Sequence, residues 1–330
     1  MEPGSAAPET AELVRAGGEH VPALLRRIEE RLRDDAAAHA GELADHGGAT
    51  IAAGGKRLRP LLVLLAGGAP RTAEQEDALV RAGAAVELVH SATLVHDDIL
   101  DAASLRRGQP TVVARAGRDM AVATGDALFA RAFAALTASG DPEAVRVLSD
   151  ACSSLARGEL LQRADAWDPA IALDRYLLRC ELKTARLFEA ACRLGPLATG
   201  DRALRLEPFG RRIGLGFQIL DDVLDISGPA ERTGKHRGTD LLDGTVTLPL
   251  ILARERDTAL ADLDLRAVTT AAQAEELCDR ITATGALDSA RERALAFVAE
   301  AKRDLDPVTL GAGRADALAL VADSVVERYR

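Results

Sequence analysis

The stretches LVHDDILD (94–101) and QILDDVLD (218–225) each set two adjacent aspartates, and a third four residues after the first, in an otherwise apolar run. On a helix, residues four apart share a face. Asp97 and Asp101 would then point together, as would Asp221 and Asp225, with Asp98 and Asp222 about a quarter turn round. Like charges so placed cost a few tenths of a kcal/mol on an exposed helix and more when desolvated. A cation should compensate. Clustered carboxylates without a His or Cys ligand set suit a hard cation, Mg²⁺ best when a phosphate completes its octahedron. A single cluster of this kind is ordinarily a solvated helix face. Two copies, 221 − 97 = 124 positions apart and each followed by basic residues, favour the metal reading.

The basic residues come in four segments. GGKRLRP (54–60) reads as a loop entering a helix, with Pro60 suited to the first turn. Lys56, Arg57 and Arg59 would gather near a helix N-terminus, where backbone N–H groups also attract anions. LRRGQPT (105–111) supplies Arg106 and Arg107, side chains that clamp phosphate in bidentate fashion. ELKTARLF (181–188) places Lys183 beside Thr184 inside an apolar helix, a costly place for a lysine unless it meets an anion. TGKHRGTD (233–240) supplies Lys235 after the second acidic cluster. Alone, each is an ordinary basic segment. Together they suit two anionic substrates, one held through metal and one held directly.

The elements that must position these groups read as helices. From Val21 onward Ala, Leu, Arg and Glu dominate, and apolar residues recur at spacings of three and four, as in ALLRRIEERL. Breaks fall at 67–72, 139–142, 167–169, 194–201 and 227–240, and no run of period-two strands stands out. The expectation is an all-α, single-domain bundle of ten or more helices over residues 21–330, after a flexible leader at 1–20. Length alone allows two domains, but no linker divides the chain. With 330 residues, 48% of them hydrophobic and 3% aromatic, the core is built from Ala, Leu, Val and Ile. A net charge of −10 and a pI of about 5.2 argue against a general nucleic-acid binder, so any anion site must be a local basic cluster. The scattered cysteines 152, 180, 192 and 278 fit a reduced, cytoplasmic protein. No signal peptide is evident, and the longest apolar run, PLLVLLAGGAP, is too short for a membrane span.

In this order, GGKRLRP, HSATLVHDDILD, RRGQPT, GDALFARAF, LKTARLFEAA, GFQILDDVLD, GTDLLDG and TLPLI resemble the trans-isoprenyl diphosphate synthases, or polyprenyl synthetases, over roughly residues 50–255. The resemblance implies the isoprenoid synthase fold: an all-α homodimer with a central cavity between the acidic helices. It implies Mg²⁺-dependent condensation of isopentenyl diphosphate with an allylic diphosphate (geranyl, farnesyl or geranylgeranyl). By motif position Asp97 and Asp101 would hold two Mg²⁺ ions and Asp221 a third, with Asp225 helping through water and Mn²⁺ able to substitute. Lys56, Arg59, His90 and Arg107 match the isopentenyl diphosphate site. Arg106, Lys183, Thr184, Gln218 and Lys235 match the allylic site, and Asp240 an acid near Lys235. The catalytic set is then Asp97, Asp98, Asp101, Asp221, Asp222, Asp225, Lys183 and Lys235. Thr245 departs from the family, which usually has lysine there.

Chain length follows from the same likeness. Short-chain members carry bulky aromatics one turn before the first cluster, whereas this chain has Ala92 and Thr93, with Val89 a turn further back. A helix starting near Glu74 offers on the order of 35 Å of wall, room for about six to eight isoprene units. A floor from Phe129 and Phe133 would instead give geranylgeranyl diphosphate. A long product would call for membrane or detergent at release. Two rivals stand beside this reading: a class I terpene cyclase, which has no use for a second diphosphate site, and a non-catalytic subunit of a heteromeric synthase, which should have lost aspartates or the basic loop.

Overall fold

The computed structural model describes residues 8–38, 41–228 and 237–327, with side chains from residue 12. Among these the protein is helical throughout, apart from one short hairpin. The helices are α1 (Pro8–Ala16), α2 (His20–Ala37), α3 (Glu42–Ala52), α4 (Leu58–Gly67), α5 (Ala73–Leu100), α6 (Val112–Thr137), α7 (Pro142–Ala164) and α8 (Leu173–Cys180). After a π-helical turn (Glu181–Ala185) come α9 (Arg186–Thr199), α10 (Glu207–Ser227), α11 (Thr239–Leu242), α12 (Leu248–Arg254), α13 (Thr258–Ala261), α14 (Ala271–Ala283), α15 (Ala286–Arg303), α16 (Pro307–Leu310) and α17 (Ala312–Glu327).

Backbone contacts group the chain into two compact units, where the sequence suggested one domain. The first comprises residues 1–152, 187–208 and 304–321, and the second 153–186, 209–303 and 322–330. In the first, α5 is the central helix. Thr72 caps it, its side chain accepting from the Gln75 N–H, and Val86, Leu88, Val89 and Ala92 are fully buried. Its breadth of burial comes from small residues. Gly83 leaves room for Ile28, whose Cδ1 would lie 2.5 Å from a Cβ there. In the second unit Phe209, Ile213 and Ile219 of α10 are buried. The Trp167 ring covers Gly244, where a Cβ would lie 2.3 Å from it.

Three expectations need correction. Residues 8–16, inside the expected leader, form α1, and Leu13 is only 8% exposed. The break placed at 194–201 starts later, because α9 continues through Pro196 to Thr199. Gly195 lets α4 approach closely: a Cβ there would lie 2.2 Å from Val63 O. That packing outweighs the local preference against proline. The segment LRRGQPT forms an antiparallel pair, β1 (Leu105–Arg106) and β2 (Gln109–Pro110), too short for a period-two pattern. Its turn residues Arg107 and Gly108 both have positive φ, 52° and 73°, as a two-residue type I′ hairpin requires.

Helices α5 and α6 are each long and apolar enough by composition to cross a membrane, which a search for one contiguous apolar run misses. The apolar window of α5 is 72% buried within the protein, and that of α6 39%.

Candidate active site

The first acidic cluster sits at the C-terminal end of α5. Asp97 is half-buried, and Asp101 caps the helix, its N–H donating to Asp97 O at 2.8 Å. The helix dipole makes this end favourable for a cation and unfavourable for bare carboxylates. Asp98 is different. It is 5% exposed, and Arg106 Nε donates to its Oδ1 at 2.7 Å. It therefore ties α5 to the hairpin instead of facing outward with its neighbours.

The second cluster repeats this division on α10. Asp221 is exposed and Asp225 half-buried, while Asp222 is 5% exposed. Asp222 accepts from Tyr176 Oη at 2.6 Å and from Gln218 Nε2 at 2.8 Å. Thr184 Oγ1 in turn donates to Gln218 Oε1 at 2.5 Å. Burial, then the charge of Asp240, pushes the Asp222 carboxyl up to about 7 against the pull of Tyr176, Gln218 and Arg179. Asp225 accepts from the Asp240 N–H at 3.2 Å, which brings Asp240 beside the cluster.

The basic segments converge in part. The loop at 54–57 places Arg57, φ 48°, at the N-terminus of α4. Arg57 is not available to an anion, because it donates to Glu29 Oε1 at 2.5 Å, Glu87 Oε1 at 2.8 Å and Ile51 O at 2.9 Å. It anchors the loop that presents exposed Lys56 and half-buried Arg59. The Arg59 guanidinium lies 4.6 Å from the Phe188 ring centroid. Arg107 folds back from the hairpin onto Gly55, where a Cβ would lie 3.2 Å from its Nη1. Between these groups stands His90. Burial, then Arg59, Arg107, Arg106 and Arg57 in turn, hold its ring well below the usual histidine range. His90 is thus a neutral group ringed by guanidiniums. It lines a cavity of about 440 Å³ with Gly54, Ser91, Asp98, Arg106 and Arg107.

In the second unit the π turn carries Lys183 and Thr184. Such turns interrupt helices where side chains must be re-aimed. Lys183 Nζ donates to Glu159 Oε2 at 2.6 Å and Gln162 Oε1 at 3.2 Å. Glu159, Gln162 and Tyr176 were missed in the sequence, since acids and amides in RGELLQRA look like any exposed helix face. Lys235 lies outside the described residues. Thr245 is 8% exposed, its N–H donating to Asp240 O at 2.8 Å.

Ala92 and Val89 have no exposed surface, and Thr93 Oγ1 donates back to His90 O at 2.8 Å. Phe129 meets His96 with ring centroids 5.8 Å apart, and Phe133 is half-buried. His96 reads as a packing residue. It fills the notch at Gly125, where a Cβ would lie 2.2 Å from its Nε2. All four cysteines are free thiols. Burial pushes the Cys152 thiol up to about 11 and the Cys278 thiol up to about 12.

Among the described residues no three or more His, Cys, Asp or Glu close on one point as a metal cage. What the outward aspartates offer is paired hard oxygens. That fits Mg²⁺, which is typically held by one or two carboxylates and completed by waters and substrate phosphates.

The sequence profile of the polyprenyl synthetase family matches residues 42–283. Heptaprenyl diphosphate synthase component 2 of Geobacillus stearothermophilus is 41% identical over 233 residues, covering 69% of this chain and 72% of that protein. Geranylgeranyl diphosphate synthase of Methanosarcina mazei is 37% identical over 265 residues, covering 78% and 81%. A crystal structure of polyprenyl synthase from Caulobacter crescentus, complexed with calcium and isoprenyl diphosphate, superposes with a TM-score of 0.83 at 33% identity, covering 100% of this chain and 99% of that one.

Proposed function

This chain belongs to the polyprenyl synthetase family, and from that premise we propose that it is a polyprenyl diphosphate synthase. It is a prenyltransferase that joins isopentenyl diphosphate to an allylic diphosphate and releases pyrophosphate. The observation that carries the reading is the cavity that His90 lines with Arg106 and Arg107, on the helix that bears Asp97. A cyclase acting on one diphosphate needs no second anion site of this kind.

Lys56, Arg59 and Arg107 bind isopentenyl diphosphate directly, and neutral His90 contributes a ring nitrogen without adding charge. Lys183, Arg106, Lys235 and the Thr184–Gln218 pair orient the allylic diphosphate. Asp97, Asp101, Asp221 and Asp225 would hold Mg²⁺, about three ions by family likeness, with Mn²⁺ able to substitute. Bound there, the metal supplies Lewis-acid stabilisation of the departing pyrophosphate as the allylic C–O bond ionises. The basic side chains share that charge, and the apolar walls exclude water from the carbocation. The isopentenyl double bond then attacks, and the proton lost goes to pyrophosphate.

Residues 21–330 form the catalytic domain, acting in the cytoplasm as a homodimer. The product is medium or long, about six to eight isoprene units, because α5 bears no aromatic on the Val89–Ala92 face. The names of these two relatives, one geranylgeranyl and one heptaprenyl, differ in length and so do not choose it. One of those names favours a second reading: "component 2" points to a chain that works with a different subunit. The test is the purified chain alone, given isopentenyl and farnesyl or geranylgeranyl diphosphate with Mg²⁺, its products sized by chromatography. Prenyl diphosphates should form, and should vanish with a chelator or with Asp97→Ala. A cyclic hydrocarbon from geranylgeranyl diphosphate alone would replace this reading with the cyclase.

A further inference from the structure

Lys183 is occupied before any substrate arrives. Its ammonium donates to Glu159 and Gln162, and Glu159 accepts through its other oxygen from Arg163 Nε at 2.9 Å. The Glu159 side chain is 16% exposed and that of Lys183 26%, so solvent screens the pair only in part. The two backbones lie close together, for Gly158 packs directly against the π turn. Burial pushes the Glu159 carboxyl up, but Lys183 and Arg163 outweigh it and hold it below the usual range. An ionised carboxylate therefore sits on the ammonium that would bind the allylic diphosphate.

We propose that Glu159 is a positioning residue acting through Lys183. It is an internal counter-ion that keeps the ammonium in place when no diphosphate is bound and competes with the diphosphate for it. This rests on the reading of Lys183 as a diphosphate ligand. The competition weakens every species that places a diphosphate there: allylic substrate, pyrophosphate and prenyl product alike. Binding substrate and product equally tightly adds nothing to the chemical step, and where release limits turnover it slows the cycle. Glu159 thus trades ground-state affinity for release.

The experiment is calorimetric titration of pyrophosphate with Mg²⁺ into the full chain, followed by steady-state and single-turnover kinetics. Glu159→Gln keeps the shape and an acceptor for Lys183 while removing the charge. It should bind pyrophosphate roughly tenfold more tightly, as one charge-assisted contact ceases to be contested. Its KM for the allylic substrate should fall and that for isopentenyl diphosphate should not. Its kcat should drop while the single-turnover rate holds. Gln162→Glu adds a carboxylate at the other partner and should move pyrophosphate affinity the opposite way. Equal or weaker pyrophosphate binding by Glu159→Gln, or unchanged binding by Gln162→Glu, overturns the counter-ion role. Unchanged binding by Lys183→Ala instead overturns the assignment of Lys183.

Discussion

Replacing Gly158 with alanine should displace the allylic site without touching any charged group. A Cβ at Gly158 would lie 2.5 Å from Lys183 N, 2.8 Å from Lys183 Cα and 2.9 Å from Leu182 C. All three are backbone atoms of the π turn, so no rotamer change relieves the overlap. Ordinary contact begins near 3.4 Å, and the two segments must separate by 3.4 − 2.5 = 0.9 Å. Overpacking of this kind costs about 1–3 kcal/mol of stability. The movement carries the Lys183 backbone with it, and a misplacement of about 1 Å in a positioning group costs on the order of 10²-fold in rate. We expect Gly158→Ala to fold, with a lowered Tm and kcat/KM for the allylic substrate down by roughly that factor. The KM for isopentenyl diphosphate should stay near wild type, since its proposed binding groups lie on α4 and the loop before it, on α5 and on the hairpin. Kinetics with each substrate varied in turn, beside a thermal melt, decide it. Wild-type allylic kinetics in a folded Gly158→Ala protein would refute the placement of Lys183 by the π turn, and an equal loss for both substrates would refute its specificity.

Arg59→Ala should raise the KM for isopentenyl diphosphate more than that for the allylic substrate, and Lys183→Ala should do the reverse; interchangeable profiles would sink the division of the basic residues. His90 has a folded pKa below its unfolded value near 6.5, so its contribution to stability is present above the unfolded value and is lost as pH falls from there through the folded one. The Tm should thus drop on acidification less steeply in His90→Gln than in wild type, and parallel curves would count against the neutral ring. His20 shifts in the same direction, so the difference between the two proteins is what reports on His90. Ala92→Phe should shorten the product sharply while Phe133→Ala leaves it equal or longer, and an unchanged product distribution in Ala92→Phe at normal turnover would show that the prenyl tail does not run along α5.

The helices were legible because apolar spacing and short Gly- or Pro-bearing breaks are local signals. So were the aspartates, whose repetition needs no fold to be seen. The roles within each cluster were not. Nothing local separates Asp98 from Asp97, and the difference comes from Arg106, eight residues on and brought back by a hairpin. Arg57 looked as cationic as Arg59, yet it is consumed by Glu29 and Glu87, acids 28 and 30 positions away. Lys183 was expected to need an anion, and the protein supplies one from α7, which no pattern around Lys183 announces. Tertiary partners decide which of several like charges remains available, and spacing along one helix cannot.

The doubled aspartate of each cluster then has a physical reason. A metal-binding helix must present its outward carboxylates at a fixed rotation about its own axis, because a turn of one residue swings them by about 100°. Apolar packing alone sets that rotation loosely where the buried residues are small, as at Ala82, Ala84, Ala85 and Ala92 of α5. A directional hydrogen bond from the middle aspartate sets it tightly. On α5 the lock is a charged one, with Arg106 as its partner. On α10 it is a pair of neutral donors, Tyr176 and Gln218. The locks differ in what they bring along: Asp98 fixes the hairpin that bears Arg107, and Asp222 fixes Gln218 and through it Thr184. In each unit the residue that does not face outward is the one that joins the carboxylates to the groups beside them that we propose bind diphosphate.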